Sequence, residues 1–146
     1  MRSSLIALLC LGAAPLVSAC ATTAPASAAL AAQQAEPPGA VLMVRTERHV
    51  RAALRTVDDL AQASPALSEV HVLVCGPGLA ALQQGSALTE PLQAAMAGGT
   101  RVAACGMSLE NENIAPESLL PGVEVVPNAL LEVLQLQARG YVSVEL

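Results

Sequence analysis

Short apolar runs and amphipathic segments alternate along the chain from residue 40 onward. The first run, Ala40 to Val44, is continuously apolar and follows two prolines and a glycine, which is typical of a strand covered on both faces. Apolar residues then recur at helical spacing from Val50 to Ala61, which predicts an amphipathic helix that ends before Pro65. This part of the chain therefore begins with a strand and a helix.

The same alternation continues through the remaining residues. Further strands are predicted over Val70 to Val74, Arg101 to Ala104, Val123 to Val126 and Tyr141 to Glu145. Helices are predicted over about Thr89 to Ala97 and from the N-cap Asn128 to the stop at Gly140, with residues 106–120 irregular. Parallel strands need crossover connections, which helices usually supply. The pattern predicts an α/β fold, a three-layer α/β/α domain with a mostly parallel five-stranded sheet.

The first twenty residues have the three regions of an export signal. Arg2 precedes an apolar stretch from Leu5 to Val17, and two small residues then stand directly before Cys20. That ending resembles the bacterial lipobox, in which the cysteine is lipidated and becomes the first mature residue. The sequence predicts a lipoprotein signal peptide over residues 1–19 and lipidation of Cys20. Ordinary cleavage nearby would instead leave a soluble periplasmic protein.

Residues 20–39 connect this signal to the domain. They consist almost entirely of Ala, Thr, Ser, Gln and Pro, a composition that buries too little apolar surface to fold. A flexible tether is predicted there, and residues 40–146 form the single domain. The absence of aspartate at residue 21 resembles outer-membrane lipoproteins, so we expect a domain anchored to the outer membrane and facing the periplasm.

Composition narrows the classes of partner. Seven arginines and no lysine stand against twelve acidic residues, giving a formal net charge of -5. A surface of that sign repels nucleic acid, and Tyr141 is the only aromatic residue that could stack on a base. Nucleic acid is therefore not an expected partner, and the core must be aliphatic.

Two cysteines fall inside the domain, and each directly follows a predicted strand. Cys75 and Cys105 both precede a glycine, at the strand ends where open α/β sheets bind ligands. Backbone N–H groups of the following turn can stabilise a thiolate, the nucleophilic form. Alternatively, each thiol is only a small apolar group at the edge of the core, and the nearby Glu110 and Glu112 would disfavour a thiolate at Cys105.

The two cysteines could also form a disulfide. If the second and third strands are neighbours, Cys75 and Cys105 come within the range of about 4.4–6.8 Å between Cα atoms that the bond requires. An oxidising periplasm would favour it.

The remaining motifs are weak. Residues 76–81 match the permissive G-x-G-x-x-A dinucleotide pattern, but they follow the second strand and Pro77 removes a backbone donor. His49 falls on the first helix, while His71 is too far along its strand from Cys75 to share a metal ion. We expect no cofactor and no metal.

Three motifs, in this order, carry a family resemblance. They are G-P-G-L at residues 76–79, A-C-G at residues 104–106 and L-L-P-G-V-E-V-V-P at residues 119–127. Together they resemble the DsrE/DsrF-like (YchN-like) sulfur-relay family. The resemblance implies a three-layer domain that assembles into trimers or hexamers, and it matches Cys105 to the cysteine that carries persulfide sulfur between proteins. Two features depart from the pattern: Cys75 stands where many relatives have histidine, and the chain carries an export signal.

The function that follows is that of an exported, thiol-based sulfur carrier. Cys105 is the candidate carrier of persulfide and Cys75 the candidate second thiol, in a carrier or accessory protein rather than a turnover enzyme. Its sulfur donor or acceptor would be a periplasmic protein, and the lipid anchor would be its only contact with the membrane. The alternatives are a non-catalytic oligomeric scaffold of the cell envelope and a small-molecule-binding module.

Overall fold

Strands and helices alternate through the described residues, which are 38–63 and 67–146 of this computed structural model. The strands are β1 (Ala40–Val44), β2 (Val70–Val74), β3 (Arg101–Cys105), β4 (Glu124–Val126) and β5 (Val142–Glu145). The α-helices are α1 (Glu47–Leu60), α2 (Thr89–Ala97), α3 (Gly106–Glu112) and α4 (Ala129–Ala138), with 3₁₀ helices over Gly76–Leu82 and Pro116–Ser118. The predicted signal peptide, the predicted lipidation site Cys20 and the predicted tether up to residue 37 lie outside the described residues.

All five strands are parallel, in the order β4-β3-β2-β1-β5. The register places Met43 opposite Leu73, and Leu73 opposite Ala103. This arrangement confirms the predicted α/β fold with a five-stranded parallel sheet. Among the described residues, the helices are all too short or too polar to cross a membrane.

Helix ends follow local capping chemistry. The Thr46 side chain accepts a hydrogen bond from the His49 N–H at 3.3 Å and caps α1. The predicted N-cap Asn128 is confirmed, because its side-chain oxygen accepts from the N–H of Leu130 at 3.0 Å and begins α4. Gly140 follows α4 with a φ of +92°, a conformation that glycine adopts without strain.

The segment after β3 differs from the prediction. Residues 106–120 were expected to be irregular, yet they form α3 and a short 3₁₀ helix. The helix α3 has only seven residues, starts at a glycine and buries Leu109 alone. So short a helix shows no apolar periodicity that sequence reasoning could recognise. It ends at Asn113, which has a left-handed backbone with a φ of 53°.

The core has two parts, one on each face of the sheet. One face is covered by α1, α2, α3 and the longer 3₁₀ helix, and its buried side chains are Ala, Val and Leu. The other face carries the odd-numbered positions of β1, β2 and β3, packed against Ala129, Val133 and Leu136 of α4. Both thiols belong to this second face. The expectation of an aliphatic core is confirmed.

A polar cluster lies on this second face at the amino-terminal ends of the strands. His71 is buried, and its Nε2 lies 3.0 Å from Oε1 of Glu69 without the alignment of a hydrogen bond. The Tyr141 hydroxyl donates to the other Glu69 oxygen, which lowers the pKa of Glu69 and raises the pKa of Tyr141. The Tyr141 ring meets the His71 ring edge to face, with centroids 5.3 Å apart.

Candidate functional site

Three neighbouring strands end side by side at the carboxyl edge of the sheet. The register pairs Val44 with Val74 and Val74 with Ala104. The next residue along each chain segment is Arg45 after β1, Cys75 after β2 and Cys105 at the end of β3. Neighbouring strands stand about 4.8 Å apart, so the sheet itself sets Cys75 between the other two residues.

Side-chain alternation directs both thiols toward the α4 face. Cys75 and Cys105 continue the buried rows that contain Leu73 and Ala103. Their exposed fractions are 9% and 5%, so both also fill space in the core. This burial fits the interpretation that both cysteines only fill space in the core. The polar groups around the Cys75 sulfur, however, differ from those around the Cys105 sulfur.

The connection between β4 and α4 packs directly on the start of α3. The Met107 N–H donates to the Pro127 carbonyl at 3.2 Å. A Cβ atom at Gly106 would lie only 3.2 Å from the Val126 carbonyl oxygen. The glycine after Cys105 therefore permits a close approach that brings the N-terminus of α4 to the end of β3.

Several hydrogen-bond donors consequently face the Cys105 sulfur. Burial by itself raises the pKa of this thiol, but the Ala129 N–H at the start of α4, the Ser108 hydroxyl and N–H, and the Cys75 thiol outweigh it. Cys105 is the N-cap residue of α3, although its side chain makes no regular capping hydrogen bond. The net effect lowers the pKa of Cys105 and favours its thiolate.

Cys75 shows the opposite behaviour. Burial, the neighbouring Cys105 charge and the hydrogen bond between the two side chains raise the pKa of Cys75 to about 12. Arg45 and Ser108 oppose this shift without cancelling it. Of the two thiols, Cys105 therefore loses its proton more readily, and the Cys75 S–H is the donor that favours its thiolate.

These contacts overturn one expectation and leave another open. Glu110 and Glu112 were expected to disfavour a thiolate at Cys105, but both are exposed in the second half of α3 and the net pKa shift is downward. Cys75 and Cys105 are both free thiols in this structure. Their disulfide stays a prediction, whose distance requirement the strand register meets.

Sequence reasoning missed three contributors to the site. Arg45 follows β1 directly, so the strand-end rule that selected the cysteines would also have selected it. Ser108 lies in α3, a helix that the sequence pattern did not reveal. The Ala129 N–H reaches Cys105 only through tertiary packing, which no local pattern shows.

The other candidate residues lie elsewhere. His71 belongs to the amino-terminal cluster, at the far end of β2 from Cys75. The Gly78 N–H donates to the Arg45 carbonyl at 2.8 Å, and a Cβ at Gly78 would stand 3.0 Å from the Arg45 carbonyl carbon. That glycine thus serves close backbone packing. Within residues 38–63 and 67–146, no group of three His, Cys, Asp or Glu side chains is placed to hold a metal ion.

Comparison with protein families bears on these observations. The model of the DsrE/DsrF-like family matches residues 28–145. The chain belongs to the DsrE/DsrF-like family. Its A-C-G motif ends β3 and begins α3, which places Cys105 at a strand-to-helix junction facing the N-terminus of α4.

Two solved structures share the DsrE/DsrF-like fold. The protein of unknown function MTH1491 from Methanobacterium thermoautotrophicum has a TM-score of 0.68 and 20% identity, over 75% of this chain and 99% of that one. The YchN protein from E. coli has a TM-score of 0.58 and 16% identity, over 73% of this chain and 99% of that one. No functionally curated protein matches the sequence. At these identities the likeness concerns the fold.

Proposed function

We propose that this DsrE/DsrF-like protein is a thiol-based sulfur carrier in which Cys105 holds the sulfur as a persulfide. One observation carries the proposal: a buried thiol whose pKa is lowered despite its burial, because N–H, O–H and S–H donors face it. A purely structural cysteine in an apolar core has no need of such donors. The association of the family with sulfur relay supports the same assignment.

The transfer step needs no cofactor. The Cys105 thiolate attacks the terminal sulfur of a donor persulfide, R–S–SH, and forms a new S–S bond. The donor S–S bond breaks, its electron pair leaves as the donor thiolate, and the proton stays on the transferred sulfur. An acceptor thiolate then removes that sulfur by the same reaction in reverse. The chain acts as a carrier, and no net oxidation occurs.

Cys75 has a protective role in this scheme. A Cys75 thiolate could attack the Cys105 sulfur, expel hydrosulfide and close a disulfide, which would discard the cargo. Burial is the largest cause of the raised pKa of Cys75 and persists when Cys105 carries sulfur, so the Cys75 thiolate stays scarce at neutral pH. Cys75 therefore donates a hydrogen bond to Cys105 and competes slowly as a nucleophile.

The cellular setting is part of the same proposal. The signal peptide over residues 1–19 and the lipobox at Cys20 support export and lipid anchoring, with the domain facing the periplasm from the outer membrane. A periplasmic protein would then be the sulfur donor or acceptor. The net charge of -5 supports a partner other than nucleic acid.

A second candidate function, that of a self-associating scaffold, is favoured by one surface. Of the eight large, exposed apolar side chains among residues 38–63 and 67–146, six lie on α4 and at β5: Leu130, Leu131, Leu134, Val142, Val144 and Leu146. Leu130, Leu131 and Leu134 form an exposed apolar surface on α4, and surface of this kind marks association sites. We propose that a second copy of the chain covers it, in a trimer or hexamer. Such assembly is compatible with a carrier but would also be the whole function of a scaffold.

Intact mass spectrometry of the full chain tests the carrier function. After reduction and exposure to inorganic polysulfide, the wild-type protein is expected to gain a reducible sulfur, and peptide mapping should place it on Cys105. The Cys105→Ala variant should lose this gain, while Cys75→Ser should retain it. A folded wild-type protein that takes up no sulfur at Cys105 would leave the scaffold as the better assignment.

Sedimentation velocity tests self-association separately. The wild-type chain should sediment as a trimer or hexamer, and Leu134→Glu should shift it toward the monomer by placing a charge within the apolar surface. Glu90→Gln on α2 is a control that changes an exposed residue away from that surface. A wild-type monomer at all concentrations would refute assembly through α4 and β5.

A further inference from the structure

Arg45 is the third member of the row that contains the two cysteines. It rests at the end of β1, one strand from Cys75 and two strands, about 10 Å, from Cys105. By the alternation of side chains along β1, Arg45 falls on the same face as Met43, the α4 face that also carries both thiols. A cation therefore stands at one end of the thiol row.

The backbone of Arg45 is held firmly in place. Its carbonyl accepts a hydrogen bond from the Gly78 N–H at 2.8 Å, and the Val44 carbonyl accepts one from the Cys75 N–H at 2.9 Å. These bonds tie the end of β1 to the first turn that follows β2. The guanidinium is therefore presented from a fixed point beside the thiols.

No carboxylate among the described residues forms an ion pair with the Arg45 guanidinium. The arginines with an acidic partner within 4.0 Å are Arg51, Arg101 and Arg139, all on other parts of the surface. Arg45 is exposed, and its charge acts on Cys75 by favouring the anionic form of that thiol. The acidic Glu145 is the last residue of the neighbouring strand β5 but forms no ion pair with Arg45. A solvent-accessible cation in the same row as the nucleophile Cys105, two strands away, is suited to bind the charge of an incoming reactant.

We propose that Arg45 binds the negative charge of the sulfur donor, so that the site selects small sulfane-sulfur anions such as thiosulfate and inorganic polysulfide. This inference rests on the proposed function of Cys105. With thiosulfate, the Cys105 thiolate attacks the outer sulfur, the S–S bond breaks, and sulfite leaves with the electron pair. Cys105 then carries the sulfur as an anionic persulfide, and the total charge is conserved. Arg45 acts as a positioning residue that holds the anion while Cys105 reacts.

Two reactions of the full chain separate anion binding from thiol reactivity. The first is sulfur loading from inorganic polysulfide or thiosulfate, followed by peptide mass spectrometry of Cys105. The second is the reaction of Cys105 with neutral 4,4′-dithiodipyridine, taken as the difference between each protein and its Cys105→Ala counterpart. The proteins compared are wild type, Arg45→Gln, Arg45→Lys and Arg48→Gln. Arg48 is a matched control, an exposed arginine on the first turn of α1.

Arg45→Gln is expected to slow loading from the anionic donors about fivefold at low ionic strength, since one charge pair at contact distance in water has about that effect. Added salt should reduce the difference, because it screens exposed charges. The neutral disulfide should react at a nearly unchanged rate, Arg45→Lys should restore loading, and Arg48→Gln should behave as wild type.

Equal slowing of both reactions in Arg45→Gln would overturn the inference, because Arg45 would then act on the thiol itself. Equal rates of loading from the anionic donors in wild type and Arg45→Gln would also overturn the inference, while leaving the carrier function intact. A wild-type protein that takes up no sulfur from any anionic donor would instead overturn the carrier function, and the donor selectivity with it.

Discussion

Replacing Cys75 by alanine removes the thiol that faces the Cys105 sulfur. The S–H of Cys75 is one of the donors that hold the pKa of Cys105 below its usual 9.0. A hydrogen bond of this kind contributes about 1 kcal/mol, and a change of one in the pKa corresponds to about 1.36 kcal/mol. The Cys105 pKa should therefore rise by about 0.7 in Cys75→Ala. Cys75→Ser retains a hydroxyl donor and should show a much smaller rise.

The rate of alkylation by iodoacetamide as a function of pH measures this shift, because only the thiolate reacts. Peptide mass spectrometry assigns the reaction to Cys105, and the midpoint of its profile gives the pKa. In the wild-type protein this midpoint should lie below that of an ordinary cysteine, while Cys75 stays unmodified through the neutral range. A wild-type midpoint at or above 9.0, the usual thiol value, would contradict the proposed stabilisation of the thiolate. A Cys75→Ala profile identical to that of the wild-type protein would show that the Cys75 donor is unimportant.

Three further predictions concern stability. Folding raises the pKa of Cys75 from 9.0 to about 12, so the folded protein keeps a proton that the unfolded chain releases above pH 9. The free energy of unfolding should therefore fall as pH rises between these two values. Urea unfolding at a series of alkaline pH values should show a shallower fall in Cys75→Ser. Leu136→Ala should cost about 2–5 kcal/mol in the same assay, since Leu136 is fully buried, whereas Val125→Ala, 46% exposed and away from the apolar surface of α4, should cost less than about 0.5 kcal/mol. Gly78→Ala should lower the free energy of unfolding by about 1–3 kcal/mol, because its Cβ would press against the Arg45 backbone; an unchanged melting temperature would refute this packing.

Much of the fold could be predicted from the sequence because its elements carry strong local patterns. The apolar runs of β1 and β2 mark strands that are covered on both faces, and the structure has them at the predicted residues. The helix α1 shows clear amphipathic spacing, and Asn128 marks the start of α4. The helix α3 escaped prediction because seven residues with one buried side chain, Leu109, contain too little periodicity.

The site was predictable only in part. Both cysteines were found because strand ends in a parallel sheet meet at one edge, so a sequence position implies a place in space. The protonation of the pair was not predictable, since it depends on the Ala129 N–H and on Ser108, which approach Cys105 through packing across the sheet edge. Reasoning from neighbours in sequence pointed instead to Glu110 and Glu112, and it gave the wrong sign.

The contact between Tyr141 and Glu69 determines what optical spectroscopy can report about this protein. Tyr141 is the only aromatic residue of the chain, so all of its near-ultraviolet absorption bands and intrinsic fluorescence arise from one ring at the amino-terminal end of the sheet. A carboxylate that accepts a hydrogen bond from a phenol perturbs tyrosine emission. Separation of Tyr141 and Glu69 on unfolding should therefore change the fluorescence. The same ring lies at the opposite end of the sheet from Cys105, beyond the length of β2. Tyrosine fluorescence should thus report the unfolding of the domain without responding to reactions of the two thiols.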